Sequence, residues 1–340
     1  MTEDEKPINN PLEALTSETL SPAFDGAEYA PDELRSALVD AIQAWLLRTP
    51  SIETRKCYDR DLKEFMRFCR IDAQQVESLA LVRPEHVAKW REQLQSRNLA
   101  NSTIRRKLTV VRSLFTYLQV YGYTGANPAH GKFVKAPAVP RDGKTVALSP
   151  KDCRRMLDAP DPRHPLGFRD RAIFAVLAYS GCRVGELCRL KSSDFKVDGE
   201  HRILSLLGKG GKERNVPLHV EAVERLKAWI AAANLDEDRD GPLFRPVLTA
   251  RGQGNDGFKR RKLTVRGVEY LVRRYAESLG LDPAVTVHSF RVTALTTARE
   301  RGADVVDLQD FAGHADPRTT LTYVRNRDRL SKSPAYVLKY

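Results

Sequence analysis

The stretch FAGHADPRTTLTYV, residues 311–324, decides how the second half of the chain folds around a site. Its glycine predicts the end of one helix, and Asp316-Pro317 predicts the start of the next, with Asp as N-cap and Pro at the first helical position. His314 therefore lies just before a helix, and Tyr323 lies two turns inside it. The bend at the glycine allows both side chains to border one small site.

Two further stretches carry groups of related chemistry. In SGCRVGELCRL, Arg183 follows a helix-ending glycine, and Glu186 comes three residues later, where its carboxylate can orient the guanidinium group. In HSFRVTALT, His288 and Arg291 are three residues apart, so that they share one face of a helix. Two potential cations on one face repel each other unless an anion lies between them.

A glycine-rich turn adds lysines. The stretch GKGGKERNVPL predicts a β-hairpin, because its turn joins the β-prone runs 203–207 and 215–218. Lys209 and Lys212 lie in this turn, where a hairpin tip can reach a phosphate or a leaving oxygen.

Each motif taken alone also fits a structural role: a surface ion pair, a solvated turn charge, a core tyrosine. Together they comprise two arginines, one lysine, two histidines and one tyrosine, which describes a phosphodiester site without a metal. Arginines stabilise charge on non-bridging oxygens, and the other groups supply an acid, a base and a nucleophile. We find no CxxC or HExxH spacing and no Walker loop, and we expect no cofactor.

The distribution of charge favours a polyanionic partner. The chain of 340 residues has 56 Lys and Arg against 44 Asp and Glu, a formal net charge of +12. Residues 1–34 hold nine acids and one base, so the remainder carries about +20. A body this basic favours nucleic acid, and a generically basic soluble protein is the alternative.

The overall composition excludes other classes. A hydrophobic content of 41% and a charged content of 29% are ordinary for a soluble globular protein. The sequence has no apolar run of about 18 residues that predicts a membrane span, and the N-terminus lacks the apolar core of a secretory signal. Five cysteines, an odd number, favour a reducing cytosol over a disulfide framework.

The sequence of the first half of the chain predicts a disordered acidic arm, residues 1–34. A small helical bundle, residues 35–122, follows it. Four segments in the bundle repeat apolar residues at helical spacing. On and around the outer face of the fourth helix we place four bases: Arg105, Arg106, Lys107 and Arg112. They indicate either phosphate contacts along a DNA groove or an ordinary solvated face.

Residues 123–147, rich in Pro, Gly and Lys, predict an extended linker. A second domain, 148–330, begins with the helix cap Ser149 and a proline at the first helical position. The tail 331–340 contains the apolar run Tyr336-Val337-Leu338, which is unusual for a solvated terminus.

The order and spacing of these residues resemble the tyrosine recombinases of the phage integrase family, especially its Xer-like branch. The resemblance rests on the four quoted stretches and covers residues 36–330. Two positions depart from the family pattern: Val292 stands where histidine is common, and Phe290 where leucine is usual. Both look like packing changes, and neither removes a catalytic group.

The resemblance implies a mainly α fold with a small β-sheet. An N-terminal four-helix core-binding (SAM-like) domain and a C-terminal mixed α/β catalytic domain would form a C-shaped clamp on DNA. The implied activity is site-specific cleavage and rejoining of DNA through a 3′-phosphotyrosyl intermediate, without metal or ATP.

The resemblance also implies individual roles. Tyr323 attacks the scissile phosphate, and Arg183 and Arg291 hold its non-bridging oxygens. Lys209 protonates the leaving 5′-oxygen. His288 matches the family residue that assists proton transfer, and His314 matches the one that donates a hydrogen bond to the phosphate. Glu186 matches the residue that orients the first arginine.

The implied partners are double-stranded DNA with a specific target site and three further copies of the chain, assembled on paired sites through the apolar tail. The alternative is that the tail folds back onto its own domain. Accessory DNA-bending or directionality proteins and a cytoplasmic, nucleoid-associated location in a bacterial, phage or mobile-element setting belong to the same expectations. A type IB topoisomerase uses a similar set of residues, and a DNA-binding accessory protein could keep the fold without catalysis. The complete residue set, the bundle and the tail favour the recombinase.

Overall fold

The structure, a computed structural model, describes residues 31–72, 74–139, 145–246, 257–314 and 316–324. At three places only the backbone is described: Pro31, Lys209 and 321–324. The chain divides into two compact units, 1–140 and 141–340. The predicted arm up to residue 30 and the apolar tail lie outside the described residues.

In the residues that the structure describes, the first unit is a bundle of four α-helices and a 3-10 turn at Val76–Leu81, which confirms the predicted helical domain. The helices are α1 (Pro31–Leu47), α2 (Ile52–Phe68), α3 (Pro84–Ser96) and α4 (Asn101–Val120). Aromatic rings fill the centre: the rings of Phe65 and Trp90 meet edge to face with centroids 4.9 Å apart. The core forms because each helix presents an apolar stripe to the others.

The structure moves two boundaries of this unit. Helix α1 already begins at Pro31, so residues 31–34 are helical, and the acids Asp32 and Glu33 lie in the first turn, where the helix dipole favours negative charge. Beyond α4, Ala129 and Val134 are buried in the core of the bundle. This part of the predicted linker therefore packs on the bundle.

The second unit contains eight described α-helices and one sheet. The helices are α5 (Pro150–Asp158), α6 (Pro165–Ser180), α7 (Val184–Leu187), α8 (Val220–Ala232), α9 (Val265–Ser278), α10 (Val287–Glu300), α11 (Val305–Ala312) and α12 (Pro317–Val324). Ser149 caps α5 as predicted, because its side chain accepts a hydrogen bond from the backbone N–H of Asp152. Helix α6 is apolar on nearly all sides, and the run Ala172–Leu177 is fully buried in the core.

The sheet has three antiparallel strands in the order β1-β2-β3. They span Phe195–Asp198, His201–Leu207 and Glu213–Pro217. The hairpin β2–β3 was predicted, and its register pairs Leu204 with Val216 and Leu207 with Glu213. The sequence did not predict β1, because it is short and mostly exposed and its only apolar signal is Phe195 and Val197.

A glycine brings distant segments together beside the hairpin. Gly181 ends α6 with φ at 55°, and a Cβ atom there would lie 2.8 Å from the ring of Phe311. Only glycine combines this left-handed conformation with such a close approach. The chain after α6 therefore lies against the end of α11. Among the described residues, no helix is long and apolar enough to cross a membrane.

Candidate active site

Arg183 and Glu186 form the first part of the site. Arg183 is the N-cap of α7, and the Glu186 carboxylate accepts hydrogen bonds from its backbone N–H at 2.9 Å and from Nη1 at 3.0 Å. Glu186 is 3% exposed, whereas the Arg183 side chain is 43% exposed. The carboxylate therefore anchors a guanidinium group that still faces solvent.

Arg214, on β3, is a residue that our sequence analysis did not single out. Its Nη1 and Nη2 donate to the two carboxylate oxygens of Glu186 at 3.2 and 2.8 Å. Burial alone would raise the pKa of Glu186, but the hydrogen bonds from Arg214 and Arg183 outweigh it and lower that pKa. The sequence signal for Arg214 was a basic residue in the second strand of the hairpin. Exposed strands also carry basic residues, so this signal does not single out Arg214.

Arg291 is almost completely buried, with 1% of its surface exposed. Its Nη1 donates to the carbonyl of Gly181 at 2.5 Å, and its Nη2 donates to the carbonyl of Ala312 at 2.6 Å. Nη2 also lies 2.7 Å from Nε2 of His314. The guanidinium thus joins the ends of α6 and α11 to the histidine.

Three successive carbonyls at the end of α11 each accept from a different arginine. Phe311 accepts from Arg214 at 3.2 Å, Ala312 from Arg291 at 2.6 Å and Gly313 from Arg183 at 3.4 Å. The last carbonyls of a helix have no partner within the helix and carry partial negative charge. They therefore gather three guanidinium groups that would otherwise repel one another.

His314 is a neutral acceptor in this arrangement. A guanidinium group only donates, so Nε2 of His314 accepts from Arg291, and Nδ1 carries the proton toward the Thr320 hydroxyl at 2.8 Å. Burial, and after it the charges of Arg291 and Arg183, lowers the pKa of His314 to about 4.

His288 lies in the first turn of α10 and is exposed. Partial burial of the ring, and then the charges of Arg291 and Arg183, lower its pKa. The structure therefore brings His288 within electrostatic reach of both arginines.

The two remaining predicted catalytic residues are placed through the backbone. Tyr323 is in the last turn of α12, one turn after the buried Thr320 that bonds to His314, and α12 packs on α10 and α11. Lys209 lies in the turn between β2 and β3, which a 2.7 Å hydrogen bond from Gly208 N to Lys212 O closes. Their side chains lie outside the description.

The prediction that Lys107 lies on or around the outer face of α4 is wrong. This lysine is buried between two carboxylates, with its Nζ 3.0 Å from Asp61 Oδ1 and 2.5 Å from Glu64 Oε2. Arg106 also bonds to Asp61. Lys107 is engaged inside the bundle, whereas the Arg106 side chain stays 37% exposed, and both meet the acids that α2 places against the first half of α4.

The other two bases of α4 differ from each other. Arg112 donates to the carbonyls of Ala129 and Val134 and so holds the segment after α4. Arg105 is exposed, as is Lys212 in the hairpin turn. Contact of these bases with DNA stays a prediction, and Arg105 and Lys212 are the ones whose exposure leaves them accessible.

The arrangement is suited to a singly charged anion. Two guanidinium groups from separate segments, Arg183 and Arg291, meet beside two histidines of lowered pKa and a helix that carries a tyrosine. Within the residues that the structure describes, no group of three or more His, Cys, Asp or Glu could hold a metal ion. Arginine forks of this kind bind the oxygens of a phosphate or carboxylate.

Comparison with known proteins agrees with this chemistry. Residues 147–329 match a family described as "Phage integrase family", and residues 43–120 match "Phage integrase, N-terminal SAM-like domain". The fold is that of a tyrosine-type DNA recombinase. The chain belongs to the phage integrase family.

Individual relatives are similar along most of their length. The chain is 30% identical over 289 residues to a tyrosine recombinase XerC of Thermodesulfovibrio yellowstonii. The aligned region covers 82% of this chain and 87% of the relative. It is also 30% identical over 303 residues to the XerC of Pelobacter propionicus, with 86% of this chain and 93% of the relative covered.

Solved structures share the fold at lower identity. The XerH site-specific recombinase bound to its difH substrate, in a post-cleavage complex, has a TM-score of 0.64 at 19% identity and covers 91% of this chain and 84% of its own. A lambda integrase dimer bound to a core site has a TM-score of 0.63 at 18% identity, covering 84% of this chain and 96% of its own. The similarity of these two structures confirms the predicted fold.

Proposed function

We propose that this recombinase cleaves and rejoins double-stranded DNA at a specific site through a covalent bond to Tyr323. The observation that carries the proposal is the meeting of Arg183, Arg291 and His314 at the end of α11, with α12 tied to the same point through Thr320.

In the first step, the Tyr323 oxygen attacks the scissile phosphorus and displaces the 5′-oxygen of the next nucleotide. The products are a 3′-phosphotyrosyl bond and a free 5′-hydroxyl. In the second step, a 5′-hydroxyl of a partner strand attacks the same phosphorus and releases the tyrosine. One phosphodiester is made for each one broken, so the scheme needs no external energy source.

Arginines contribute most because charge grows on the non-bridging oxygens in the transition state. Arg183 and Arg291 would each hold one of these oxygens, and Lys209 would protonate the leaving 5′-oxygen. His288, whose pKa is lowered mainly by partial burial and then by the charges of Arg291 and Arg183, is largely neutral near pH 7 and so can accept the tyrosine proton.

His314 has a different part in this scheme from the one that the family resemblance implies. Its Nε2 accepts from Arg291 in the structure, so it holds that guanidinium in place. Donation from Nε2 to the phosphate requires a proton on Nε2, which the contact with Arg291 disfavours.

The assembly that we propose is a tetramer on two paired DNA sites. The apolar tail Tyr336–Leu338 of one copy would enter a groove of about 520 Å³ on the second unit of another. Leu157, Ala178, Ala294 and Phe311 are among the residues that line this groove. We place the protein in the cytoplasm, in association with the nucleoid and in the setting of a mobile element or chromosome.

The proposal is tested with Tyr323→Phe. The substrate is a duplex that the wild-type protein selects from a random-sequence pool, nicked beside the cleavage position so that the short fragment diffuses away. We expect wild type to form a protein–DNA adduct that survives SDS, and Tyr323→Phe to bind the duplex without forming one. Tyr270→Phe is the matched control, because Tyr270 is 65% exposed on α9 of the same unit.

Adduct formation by Tyr323→Phe would show that the nucleophile is a different residue. Exchange of strands between two labelled duplexes, with four chains on each pair by mass measurement, supports the recombinase. Relaxation of supercoiled plasmid by single chains without exchange supports a topoisomerase instead.

A further inference from the structure

Arg214 occupies a central place beside the site and has no part in the scheme above. Its guanidinium spans the whole Glu186 carboxylate with two hydrogen bonds, at 3.2 and 2.8 Å. Its Nε donates to the Phe311 carbonyl at 3.2 Å. The side chain is 14% exposed, and all three nitrogens of its guanidinium donate to protein oxygens.

The surrounding backbone is shaped to admit this side chain. A Cβ atom at Gly313 would lie 2.9 Å from Nη1 of Arg214 and 3.2 Å from its Cζ. Gly313 has φ at 59° as well. A side chain at 313 would therefore displace the guanidinium of Arg214.

We propose that Arg214 is a positioning residue for Arg183: it holds Glu186 and the 311–313 turn in one geometry, and these two groups fix the direction of the Arg183 guanidinium. Glu186 grips Arg183 at its backbone N–H and at Nη1, and the Gly313 carbonyl receives Nη2. Without Arg214, both supports of Arg183 lose a partner. The inference rests on the proposed cleavage reaction, in which Arg183 holds a phosphate oxygen.

The reason for such a support lies in the exposure of Arg183. A guanidinium on a flexible side chain that is 43% exposed has many accessible rotamers. Catalysis requires one of them, because a displacement of about 1 Å can cost about 100-fold in rate. A bidentate arginine–carboxylate pair provides the needed rigidity, since its planar geometry specifies direction as well as distance.

The test measures single-turnover cleavage of the nicked duplex by Arg214→Met, Arg214→Lys and the control Arg202→Met. Arg202 is an exposed arginine on β2 of the same sheet. We expect cleavage to fall about 100-fold for Arg214→Met and about tenfold for Arg214→Lys, which keeps the charge but loses the fork. Binding of the duplex and the melting temperature of Arg214→Lys should stay near those of wild type.

A substrate analogue separates positioning from a general loss of structure. A methylphosphonate at the scissile position replaces one charged non-bridging oxygen by a methyl group, so the oxygen that Arg183 would hold is absent in one diastereomer. In that diastereomer we expect the ratio of wild-type to Arg214→Lys rates to fall from about ten to about one, because the help of Arg183 is no longer needed. In the other diastereomer the ratio should persist.

An equal ratio in both diastereomers and in the natural phosphate would overturn the inference, as would a rate for Arg214→Lys equal to that of Arg202→Met. Failure of the proposed function gives a different result, because wild-type protein would then form no adduct or Tyr323→Phe would still form one.

Discussion

Two buried carboxylates, one in each unit, each accept hydrogen bonds from two cations, but they leave those cations in different positions. A third cation, Arg60, lies 3.9 Å from the carboxylate of the first unit. In the first unit, Asp61 is completely buried and bonds to Arg106 and Lys107, two neighbours on α4. In the second unit, Glu186 bonds to Arg183 and Arg214, which come from the start of α7 and from β3.

Lys107 and Arg183 differ in the exposure of their side chains, and Arg106, the other cation on α4, is 37% exposed. Lys107 has 7% of its side chain exposed and is also bonded to Glu64, so carboxylates within the bundle neutralise its charge. Arg183 keeps 43% of its side chain exposed. A buried ion pair is expensive to desolvate and adds little net stability when its partners are complete. In the second unit the exposed cation is Arg183, the residue that we propose to hold a phosphate oxygen.

Among the substitutions that test this difference between the two carboxylates, Arg183→Ala should have the largest effect. We expect the cleavage rate on the nicked duplex to fall about 10²- to 10³-fold, because a preorganised donor to the phosphate is lost. The free energy of unfolding should change by only about 1 kcal/mol, since Glu186 keeps both hydrogen bonds from Arg214 and the one from the backbone N–H of residue 183, and the lost side chain is 43% exposed. Single-turnover cleavage and urea unfolding measure the two quantities.

Arg163→Ala is the matched control, because Arg163 is 84% exposed and pairs only with its neighbour Asp161 in the part of the unit that the structure describes. A loss of stability without a loss of rate in Arg183→Ala would show that the two buried pairs have the same role.

The opposite outcome is expected for Lys107→Met. Removal of this ammonium takes one of the two hydrogen-bonded cations from the buried Asp61, which keeps Arg106 and, at 3.9 Å, Arg60. We expect the free energy of unfolding to drop by about 3 kcal/mol. Hydrogen exchange measured by peptide mass spectrometry should show the loss in the first unit. The cleavage rate of the fraction that stays folded should remain within about twofold of wild type.

Lys63→Met provides the comparison on α2, because Lys63 is 68% exposed and its pair with Asp59 lies on the surface. It should lose less than about 1 kcal/mol. If both lysine variants lose the same amount, the burial of Lys107 has no energetic weight.

The smallest effect is expected from pH. Burial first, and then the charges of Arg291, Arg183, Arg214 and His288, lowers the pKa of His314 to about 4. The unfolded chain therefore binds a proton near pH 6.5 that the folded chain refuses until about pH 4. Stability is complete above pH 6.5 and falls as the pH drops, by about 1 to 2 kcal/mol between pH 7 and pH 5.

Urea unfolding of wild type and His314→Gln at the two pH values measures this difference. The glutamine variant should show a flatter dependence. The ion pair of Glu64 in the first unit should add little to the pH dependence between pH 7 and pH 5. Hydrogen bonds from Lys107 and Arg97 lower the pKa of Glu64 in spite of its partial burial, so its carboxylate stays ionised over this range. A dependence as steep in His314→Gln as in wild type would exclude the histidine as its source.

Local patterns predicted most of the fold. Apolar spacing located the helices of both units, and the Ser149 cap and the glycine at 181 marked helix ends that the structure contains. These signals are local, because caps and periodicity depend on residues within one or two turns. Strand β1 was missed because its four residues are mostly exposed and carry little periodicity.

The grouping of Arg183, His288, Arg291 and His314 was predicted from their order in the sequence, and their catalytic roles stay predictions. The role of Arg214 was not predicted, since a single basic residue in a strand has no local signature. The face of Lys107 was predicted wrongly for a similar reason: its burial depends on Asp61 and Glu64, which are more than 40 positions away in the chain.

The sequence by itself determined which residue types the chain offers, where its helices begin and end, and which family it resembles. Only the tertiary structure decided which charges meet. Three arginines from α7, β3 and α10 converge on the last carbonyls of α11, and two bases of α4 turn inward to a buried acid. The physical reason is that a helix or strand follows from neighbouring residues, whereas the partner of a buried charge follows from the desolvation of both groups, which only the packed fold sets.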